Sequence, residues 1–424
     1  MPPVLPVGLT HFKSPALKEP FKLLEEALEA STRLSELQRG ARVGIAVGSR
    51  GIAALSQVLA AAVGWLRKRG FEAALLPAMG SHGGGNADTQ AQILRDLGLS
   101  EEAIGAPIQS SMDVVHLGRT SSGVPCYFSR DAAEMDAVVV VNRVKSHTSF
   151  DRPIESGLTK MVAVGLGKAQ GARFVHRLGP AGLRDVLPEL AAIAIESTPI
   201  AFGIALVENA DKELIHLEGV EPRDFAEADE RLLKLAKMNL ARLPFDQIDV
   251  LIVEQFGKDI SGMGMDYAVI GRTDIRGLPN PPKPFIHKIV ALEVTEASHG
   301  NAQGIGVADY IPKRVADGLD LFDLYTNAIT ASVIEKSRIP PVLPNDREAI
   351  RAAVATAWRL TDEEVRLCII TSTLHLKTIL ISPALAEDIE GIPDTEVLGD
   401  ARPIEFDSDG TLSTRCSTVT ASPE

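Results

Sequence analysis

The sequence predicts an α/β fold made of two α/β domains with mostly parallel sheets. Apolar, strand-like runs alternate with amphipathic, helix-like runs along most of the chain, which is the order expected of a parallel sheet covered by helices. The chain has 424 residues, which is too long for one ordinary hydrophobic core. We therefore expect two domains, with a functional site in the cleft between them.

The first half of the chain contains the clearest alternation of strands and helices. The run DAVVVVN is continuously apolar, as is typical of a buried parallel strand, and GIAALSQVLAAAVGWLRKRG is a helix closed by basic residues and a glycine. Asp88 is a candidate N-cap of the next helix. The predicted strands are 42–48, 71–78, 136–142 and 200–209, and the predicted helices are 51–70, 87–100 and 183–197.

An amphipathic helix over 225–244, ending at a proline, marks the expected domain boundary. The N-terminal domain would then be 1–244 and the C-terminal α/β domain 245–424, and we leave open that the last residues pack back on the first domain. Within the C-terminal domain the sequence predicts strands at 248–257, 285–295 and 365–373 and a helix at 347–360.

Composition restricts the class of protein. The formal net charge is -13, which argues against a broad electrostatic grip on nucleic acid. The three cysteines are far apart and form no metal-binding pair, so a reducing, cytoplasmic setting is expected. Neither a signal peptide nor a membrane span is expected from the apolar stretches.

Polar residues gather directly after three of the predicted strands. In open parallel sheets ligands bind beyond the carboxyl ends of the strands, so these loops are candidates for a site. Ser49 and Arg50 are expected at a helix N-terminus, where an anion would be favoured. His82 lies among glycines that let the backbone approach a ligand. The residues in question are Ser49, Arg50, His82, Gly83, Gly84, Arg143, Lys145 and His147.

Each of these features also has a purely structural interpretation. The GSRG turn is often only a helix start, and a glycine-rich loop is often an ordinary strand-to-helix connection. His147 would serve equally well as a hydrogen-bonded core histidine, and Lys160 as a solvated surface amine. Their clustering at one edge of a predicted sheet nevertheless favours a pocket for a small anionic molecule.

The stretch 146–176, SHTSFDRPIESGLTKMVAVGLGKAQGARFVH, reads as a loop-like segment with neither strand alternation nor a clean helix face. It collects His147, Lys160, Lys168 and His176. Imidazoles act in acid–base chemistry near neutral pH and bind nickel or zinc, and two bases on opposite faces of a carbon suit a racemase. A lysine in an apolar setting loses its charge readily and can attach covalently to a cofactor. No GxSxG, HExxH or Walker motif is present.

The order Arg50, His82, His147, Lys160, His176 resembles the nickel-pincer-nucleotide-dependent lactate racemase family, with its wider set of 2-hydroxyacid racemases and epimerases. The most specific part of the resemblance is 142–176, where NRVKSH is followed by GLTK, an apolar glycine-containing run and a closing histidine. The GSR turn and the GSHGG loop extend the resemblance over the N-terminal half of the chain.

The resemblance implies an isomerase that inverts the C2 centre of a small 2-hydroxyacid by proton-coupled hydride transfer to a nickel-pincer nucleotide, pyridinium-3,5-bisthiocarboxylic acid mononucleotide nickel. It makes Lys160 the covalent tether of that cofactor, through a thioamide, and His176 the ligand to nickel. His82 and His147 become the paired acid–base groups, and Arg50 binds the substrate carboxylate. Further cofactor contacts are expected from Ser49, Gly83, Gly84 and Lys168.

The sequence departs from the family pattern in places. The first turn reads AVGSR, without the acidic residue that precedes the arginine in the family, and the interval from His147 to Lys160 is longer. In the C-terminal domain, EQFGKDISGMGMD and ASHGNAQGIGVAD supply Lys258 and His299 as candidate substrate contacts. These differences favour a homologue that acts on another 2-hydroxyacid.

Two other classes of protein remain open from the sequence. A metal-dependent hydrolase would use the three histidines His82, His147 and His176 as ligands, and a non-catalytic anion- or nucleotide-binding protein would use Arg50 and the glycine loops. For the racemase the expected partners are the 2-hydroxyacid substrate and cofactor-maturation enzymes, and we leave open a homo-oligomer. Neither nucleic acid nor a membrane is expected.

Overall fold

The computed structural model describes residues 1–10, 14–147, 151–392 and 395–419, and within these it does not describe the side chains of 180–183. Most of these residues belong to regular elements. The strands are β1 (Leu5–Leu9), β2 (Arg42–Val47), β3 (Glu72–Pro77), β4 (Val114–Arg119), β5 (Pro125–Ser129), β6 (Ala137–Arg143), β7 (Ile200–Glu208), β8 (Leu214–Val220), β9 (Gln247–Val253), β10 (Phe285–Ala291), β11 (Ile311–Pro312), β12 (Val342–Leu343), β13 (Leu367–Ile370), β14 (Thr378–Ile381) and β15 (Thr395–Val397).

The helices alternate with these strands. They are α1 (Pro20–Glu29), α2 (Thr32–Ser35), α3 (Leu55–Lys68), α4 (Ala87–Asp96), α5 (Glu101–Ile104), α6 (Arg130–Ala133), α7 (Leu158–Lys160), α8 (Lys168–Arg177), α9 (Gly179–Ser197), α10 (Phe225–Met238), α11 (Tyr267–Ile270), α12 (Lys313–Asp317), α13 (Leu321–Thr330), α14 (Asp346–Ala355) and α15 (Pro383–Ile389). A π-helical turn covers Met161–Gly165, and 3₁₀ turns cover Gly83–Gly85, Pro222–Asp224, Glu296–Ser298, Ile305–Val307, Ile334–Ser337, Asp362–Glu364 and Cys416–Thr418. None of the helices in the described ranges is both long and apolar enough to cross a membrane.

The chain forms two compact units. The N-terminal unit consists of the described residues of Lys13–His147 and Asp151–Leu240, and the C-terminal unit of those of Met1–Phe12 and Ala241–Glu424. The predicted α/β fold with mostly parallel sheets is confirmed. The division of roles between the domains, and the location of a site between them, stay predictions.

The N-terminal unit is built on a five-stranded sheet in the order β3-β2-β6-β7-β8. The first four strands are parallel, and β8 is antiparallel to β7. Strand β6 is buried on both faces: Val138 and Val140 point to the core that contains α9 and α10, while Val139 and Val141 point to the core that contains α1 and α3. This alternation explains the continuous apolar run of the sequence.

The C-terminal unit contains a six-stranded sheet in the order β10-β9-β13-β14-β1-β15. Strands β10, β9 and β13 are parallel, whereas β14, β1 and β15 are antiparallel to their neighbours. The sequence did not predict that β1 belongs here. Its side chains Leu5, Val7 and Leu9 are buried in the same core as Ile379 of β14, which explains why the first strand joins the later part of the chain. The main-chain N–H of Cys416 donates to Glu254, so the C-terminal segment lies in this unit as well.

Three predictions about local structure are wrong. The helix expected from residue 51 begins at Leu55, so Ser49 and Arg50 lie in the preceding loop and not at a helix N-terminus. The N-cap of α4 is Asn86, whose side chain accepts from the N–H of Thr89 at 3.0 Å, and Asp88 lies in the first turn. The loop-like segment 146–176 is mostly helical from Leu158 onward.

Candidate active site

A cavity of about 190 Å³ lies where β3, β2 and β6 end in the N-terminal unit. These strands are adjacent and parallel in the sheet, so the loops that follow them meet at one edge, as expected for a ligand site in such a sheet. The segment after β6 closes the cavity with α7 and the π-helical turn. The lining residues are Gly48, Ser49, Arg50, Ile52, Ala78, Met79, His82, Asn142, Arg143, Lys145, Ser156, Lys160, Met161, Val164 and Gly165.

The His82 ring is held by Ser49 across the cavity. The Ser49 Oγ and His82 Nδ1 atoms are 2.5 Å apart. The loop of His82 is fixed from behind by the buried Gln90, whose Nε2 donates to the carbonyl oxygens of Gly80 at 2.9 Å and His82 at 3.0 Å. Gly83 and Gly84 do not line the cavity; with φ values of 63° and 65° they form the turn that leads into α4.

Lys160 ends α7 and lines the cavity. Its Nζ donates to the main-chain oxygen of Glu155 at 3.2 Å. Burial lowers the pKa of Lys160 to about 8, with the nearby Arg50 acting in the same direction and Glu155 opposing it. A substantial fraction of the amine is therefore neutral near pH 8, which makes it a nucleophile. A π-helical turn follows immediately, a feature that is frequent at functional sites.

The start of α7 is anchored by a carboxylate from a distant helix. The main-chain N–H groups of Leu158 and Thr159 donate to the two carboxylate oxygens of Asp229 at 2.9 and 2.7 Å. Asn142 at the end of β6 donates to the carbonyl of Gly157 at 2.7 Å. Gly157 has φ +98°, and a Cβ there would lie 2.0 Å from an Asp229 oxygen. Only glycine therefore fits this entry to the helix.

His147 follows β6 and is placed by a buried glutamate. Its main-chain N–H donates to Glu155 Oε2 at 2.5 Å. Burial holds the pKa of the His147 imidazole well below its usual range, and the positive charges of Lys160 and Lys145 act in the same direction. The ring is thus neutral at physiological pH and can accept a proton.

His176 lies in the last turn of α8 and is half-buried. Its pKa is lowered by burial and by the charge of Lys160, so it too is a neutral imidazole and a potential metal ligand. Within the described parts of the chain, no group of three or more histidine, cysteine, aspartate or glutamate side chains is arranged to hold a metal ion. The three-histidine site of the hydrolase alternative is therefore not formed by His82, His147 and His176.

Two other cationic residues are committed to the protein itself. Lys168 is buried, and its Nζ donates to the carbonyl of Pro77 at the end of β3 at 2.8 Å. It does not line the cavity and is not a surface charge, and its cofactor contact stays a prediction. Arg143 lines the cavity and forms an ion pair with Glu208.

The predicted residues of the second domain belong to the C-terminal unit. Lys258 donates through Nζ to Asn327 at 2.9 Å and through its main-chain N–H to Ser298 Oγ at 2.8 Å. His299 is exposed and lines a separate cavity of about 420 Å³ in that unit. Their proposed substrate contacts stay predictions.

Sequence reasoning missed the residues that support the site from behind. Asn142 and Glu155 lie within 142–176, the stretch that carries the family resemblance, but neither their residue type nor their spacing predicts a role. Asp229 and Lys237 lie on α10, which reads in sequence as an ordinary amphipathic helix. Their contacts with the site connect residues about seventy or more positions apart, so the sequence pattern holds no signal for them.

The fold and the site together define an α/β protein whose N-terminal unit carries a cationic, histidine-bearing cavity at the carboxyl ends of parallel strands. Residues 6–178 match the family model of the lactate racemase N-terminal domain. This part of the chain is therefore similar to the lactate racemase N-terminal domain, and that similarity supports a racemase-type function. No curated protein matches the chain.

Solved structures show the same fold at low sequence identity. The chain is similar to the lactate racemase apoprotein from Thermoanaerobacterium thermosaccharolyticum, with a TM-score of 0.54 and 11% identity over 88% of this chain and 99% of that one. It is similar also to a protein from Thermotoga maritima, with a TM-score of 0.53 and 15% identity over 87% of this chain and 99% of that one.

Proposed function

We propose that the protein is a racemase or epimerase that inverts the C2 centre of a small 2-hydroxyacid. The observation that carries this proposal is the pair of groups that line one cavity, the Ser49–His82 pair and the half-buried amine of Lys160. The neutral imidazole of His147 does not line that cavity, but it lies close enough to Lys160 for the charge of the lysine to lower its pKa. The match of residues 6–178 to the lactate racemase N-terminal domain supports the same conclusion.

In this proposal one of the two histidines, His82 or His147, removes the proton of the substrate hydroxyl. The other returns a proton from the opposite side. The His82 ring is compatible with both directions of transfer. When the neutral ring carries its proton on Nδ1 and donates to Ser49, Nε2 is a base; the imidazolium formed when Nε2 takes up a proton keeps the bond from Nδ1 to Ser49 and is the acid. The exposed Arg50 guanidinium binds the substrate carboxylate through paired hydrogen bonds.

The residues present fit a covalently held nickel-pincer nucleotide. Lys160 supplies an amine that is uncharged often enough to be joined to the cofactor, and His176 supplies one imidazole for nickel. A single protein ligand is consistent with a cofactor that provides the remaining metal ligands itself. When bound, that group supplies the acceptor for the hydride of C2.

The remaining assignments extend this proposal. Ser49, Gly83, Gly84 and Lys168 would contact the cofactor, and Lys258 and His299 the substrate. Loading of Lys160 would require cofactor-maturation enzymes as partners, and the protein would act in the cytoplasm, as a monomer or as a homo-oligomer.

The acid–base assignment is tested with the loaded protein and single enantiomers of short 2-hydroxyacids. We expect His82→Ala and His147→Ala each to slow the loss of optical rotation by about 100-fold or more, as is usual when a general base is removed, while cofactor content stays unchanged. His116→Ala is the matched control, because His116 is exposed on β4 and does not line the cavity.

Near-normal racemisation by either variant would show that the acid–base assignment is wrong. A loaded wild-type protein that binds 2-hydroxyacids but interconverts none of them would favour the alternative of a non-catalytic anion-binding protein, for which the cationic cavity is equally suited.

A further inference from the structure

We propose that helix α10 is a two-point brace for the candidate active site, in which Lys237 and Glu155 are positioning residues for His147. This inference rests on the proposed function, since it concerns the geometry of the proposed base. The brace consists of Asp229 and Lys237 on α10 and the two segments that they hold.

Glu155 connects the segment of His147 to that of Lys160. Its side chain is completely buried. Oε2 accepts from the main-chain N–H of His147 at 2.5 Å and from the Ser146 hydroxyl at 3.1 Å, while Oε1 accepts from the main-chain N–H of Arg152 at 2.9 Å. The main-chain oxygen of Glu155 accepts from Lys160 Nζ. One residue thus contacts both the main chain of His147 and the amine of Lys160. The proposed chemistry depends on the distance between these two residues.

Lys237 is the cation that Glu155 needs in order to stay ionised when buried. Its Nζ donates to Glu155 Oε1 at 2.6 Å and to Asp151 at 2.5 Å, and its side chain is 25% exposed. Removing one member of a buried pair leaves the other as an uncompensated charge, which is strongly unfavourable. Without Lys237 the Glu155 carboxylate would take up a proton or turn outward, and in either case the anchor of the His147 main chain would weaken.

The second point of the brace lies two turns earlier on the same helix. Asp229 holds the first N–H groups of α7, the helix that ends in Lys160. Eight residues of α-helix span about 12 Å, so the rigid rod between Asp229 and Lys237 fixes the distance between the two anchored segments. The separation of His147 from Lys160 is thereby set by a helix that does not itself line the cavity.

Positioning of this kind affects rate more than binding. A misplacement of about 1 Å in a catalytic group can cost on the order of 100-fold in rate, whereas the contacts of the substrate carboxylate with Arg50 are made elsewhere. The brace therefore predicts an effect on kcat and on the order of the His147 main chain, with little change in KM.

The test compares Lys237→Met with Lys234→Met. Lys234 lies one turn earlier on α10, has a 74% exposed side chain and pairs with Glu230 along the helix. In the protein without cofactor, we expect Lys237→Met to speed amide hydrogen exchange at His147 by about tenfold or more relative to Lys234→Met. In the loaded protein, it should lower kcat by about 10- to 100-fold with KM changed less than threefold. Lys237→Arg, which keeps the cation, should restore both.

Glu155→Gln is the second variant, and it decides the matter if Lys237→Met does not fold. It keeps the side-chain volume and one acceptor but loses the charge, and we expect the same faster exchange at His147. The proposal is overturned if both variants fold and leave His147 exchange and kcat at the level of Lys234→Met, or if they lower thermal stability alone. Because exchange is measured without substrate, it tests the brace even if the wild-type protein racemises nothing, an outcome that would contradict the proposed function instead.

Discussion

At the residue scale, the burial of Lys160 makes its amine a better nucleophile but destabilises the folded protein. Its pKa is lowered to about 8 chiefly by burial, so at pH 7 the folded protein holds a positive charge in a place that disfavours it. Its amine donates to the main-chain oxygen of Glu155. Such a conflict between stability and local chemistry is common at functional sites.

Lys160→Met should therefore stabilise the protein while removing the point of attachment. We expect the free energy of unfolding at pH 7 to rise by about 2 kcal/mol, somewhat less than the full value of the pKa shift, because the hydrogen bond to Glu155 is lost. The folded-state pKa is depressed, so the charge penalty is complete below pH 8 and fades as the pH rises from about 8 toward the unfolded value of 10.5. Denaturant titrations at pH 7 and pH 10 measure the difference, and a gain that is equal at both pH values, or a loss at pH 7, would contradict this account.

Only some of the site residues can be recognised from the sequence. Ser49, Arg50, His82 and Lys160 stand out because they follow strands or sit in an unusual local composition. Glu155 and Asp229 act through contacts with main-chain N–H groups, and any part of the chain can supply such a carboxylate. The tertiary structure is needed to find them.

At the element scale, the site depends on the entry into α7. The chain passes Gly157 with a backbone conformation that only glycine adopts easily, and the Asp229 carboxylate fills the space where a side chain would be. The helix then continues through the π-helical turn into α8, which carries His176. A change at this entry would move Lys160 and weaken its helix at once.

Gly157→Ala should destabilise the protein far more than Gly84→Ala, although both glycines have positive φ. At Gly157 the new Cβ would overlap an Asp229 oxygen, whereas at Gly84 it would meet no atom within 4 Å. We expect a loss of about 3 kcal/mol or more for Gly157→Ala and about 1 kcal/mol for Gly84→Ala. Urea titration of the two variants makes the comparison, and similar losses for both would show that the contact with Asp229 does not hold α7.

The elements themselves were predictable to different degrees. The buried strands β2, β3, β6 and β7 follow from continuous apolar runs, because a strand covered on both faces needs no polar alternation. The helical segment from Leu158 to Arg177 was not predicted, since its first N–H groups are capped by Asp229 from another helix and its middle is a π-helical turn. Neither feature leaves a local signature in the sequence.

At the scale of the whole molecule, the two units differ in how well the order of strands along the chain predicts which strands they contain. The strands of the N-terminal unit's main sheet all come from one continuous part of the chain, 42–220, and this sheet places three loops at one edge. The C-terminal unit takes its fifth strand, β1, from the very start of the chain. Its apolar residues match either sheet, so the choice is made by the ladders that β1 forms with β14 and β15 and not by a pattern in its own sequence.

The central proposal is that this chain is the scaffold of a covalently tethered nickel cofactor, and one measurement tests it most directly. The protein is co-expressed with the maturation enzymes of a nickel-pincer nucleotide, and its intact mass and nickel content are determined. The account predicts an added mass located on Lys160 and close to one nickel per chain, with both lost in Lys160→Met, and nickel alone lost in His176→Ala. An unmodified Lys160 without nickel under these conditions would contradict it.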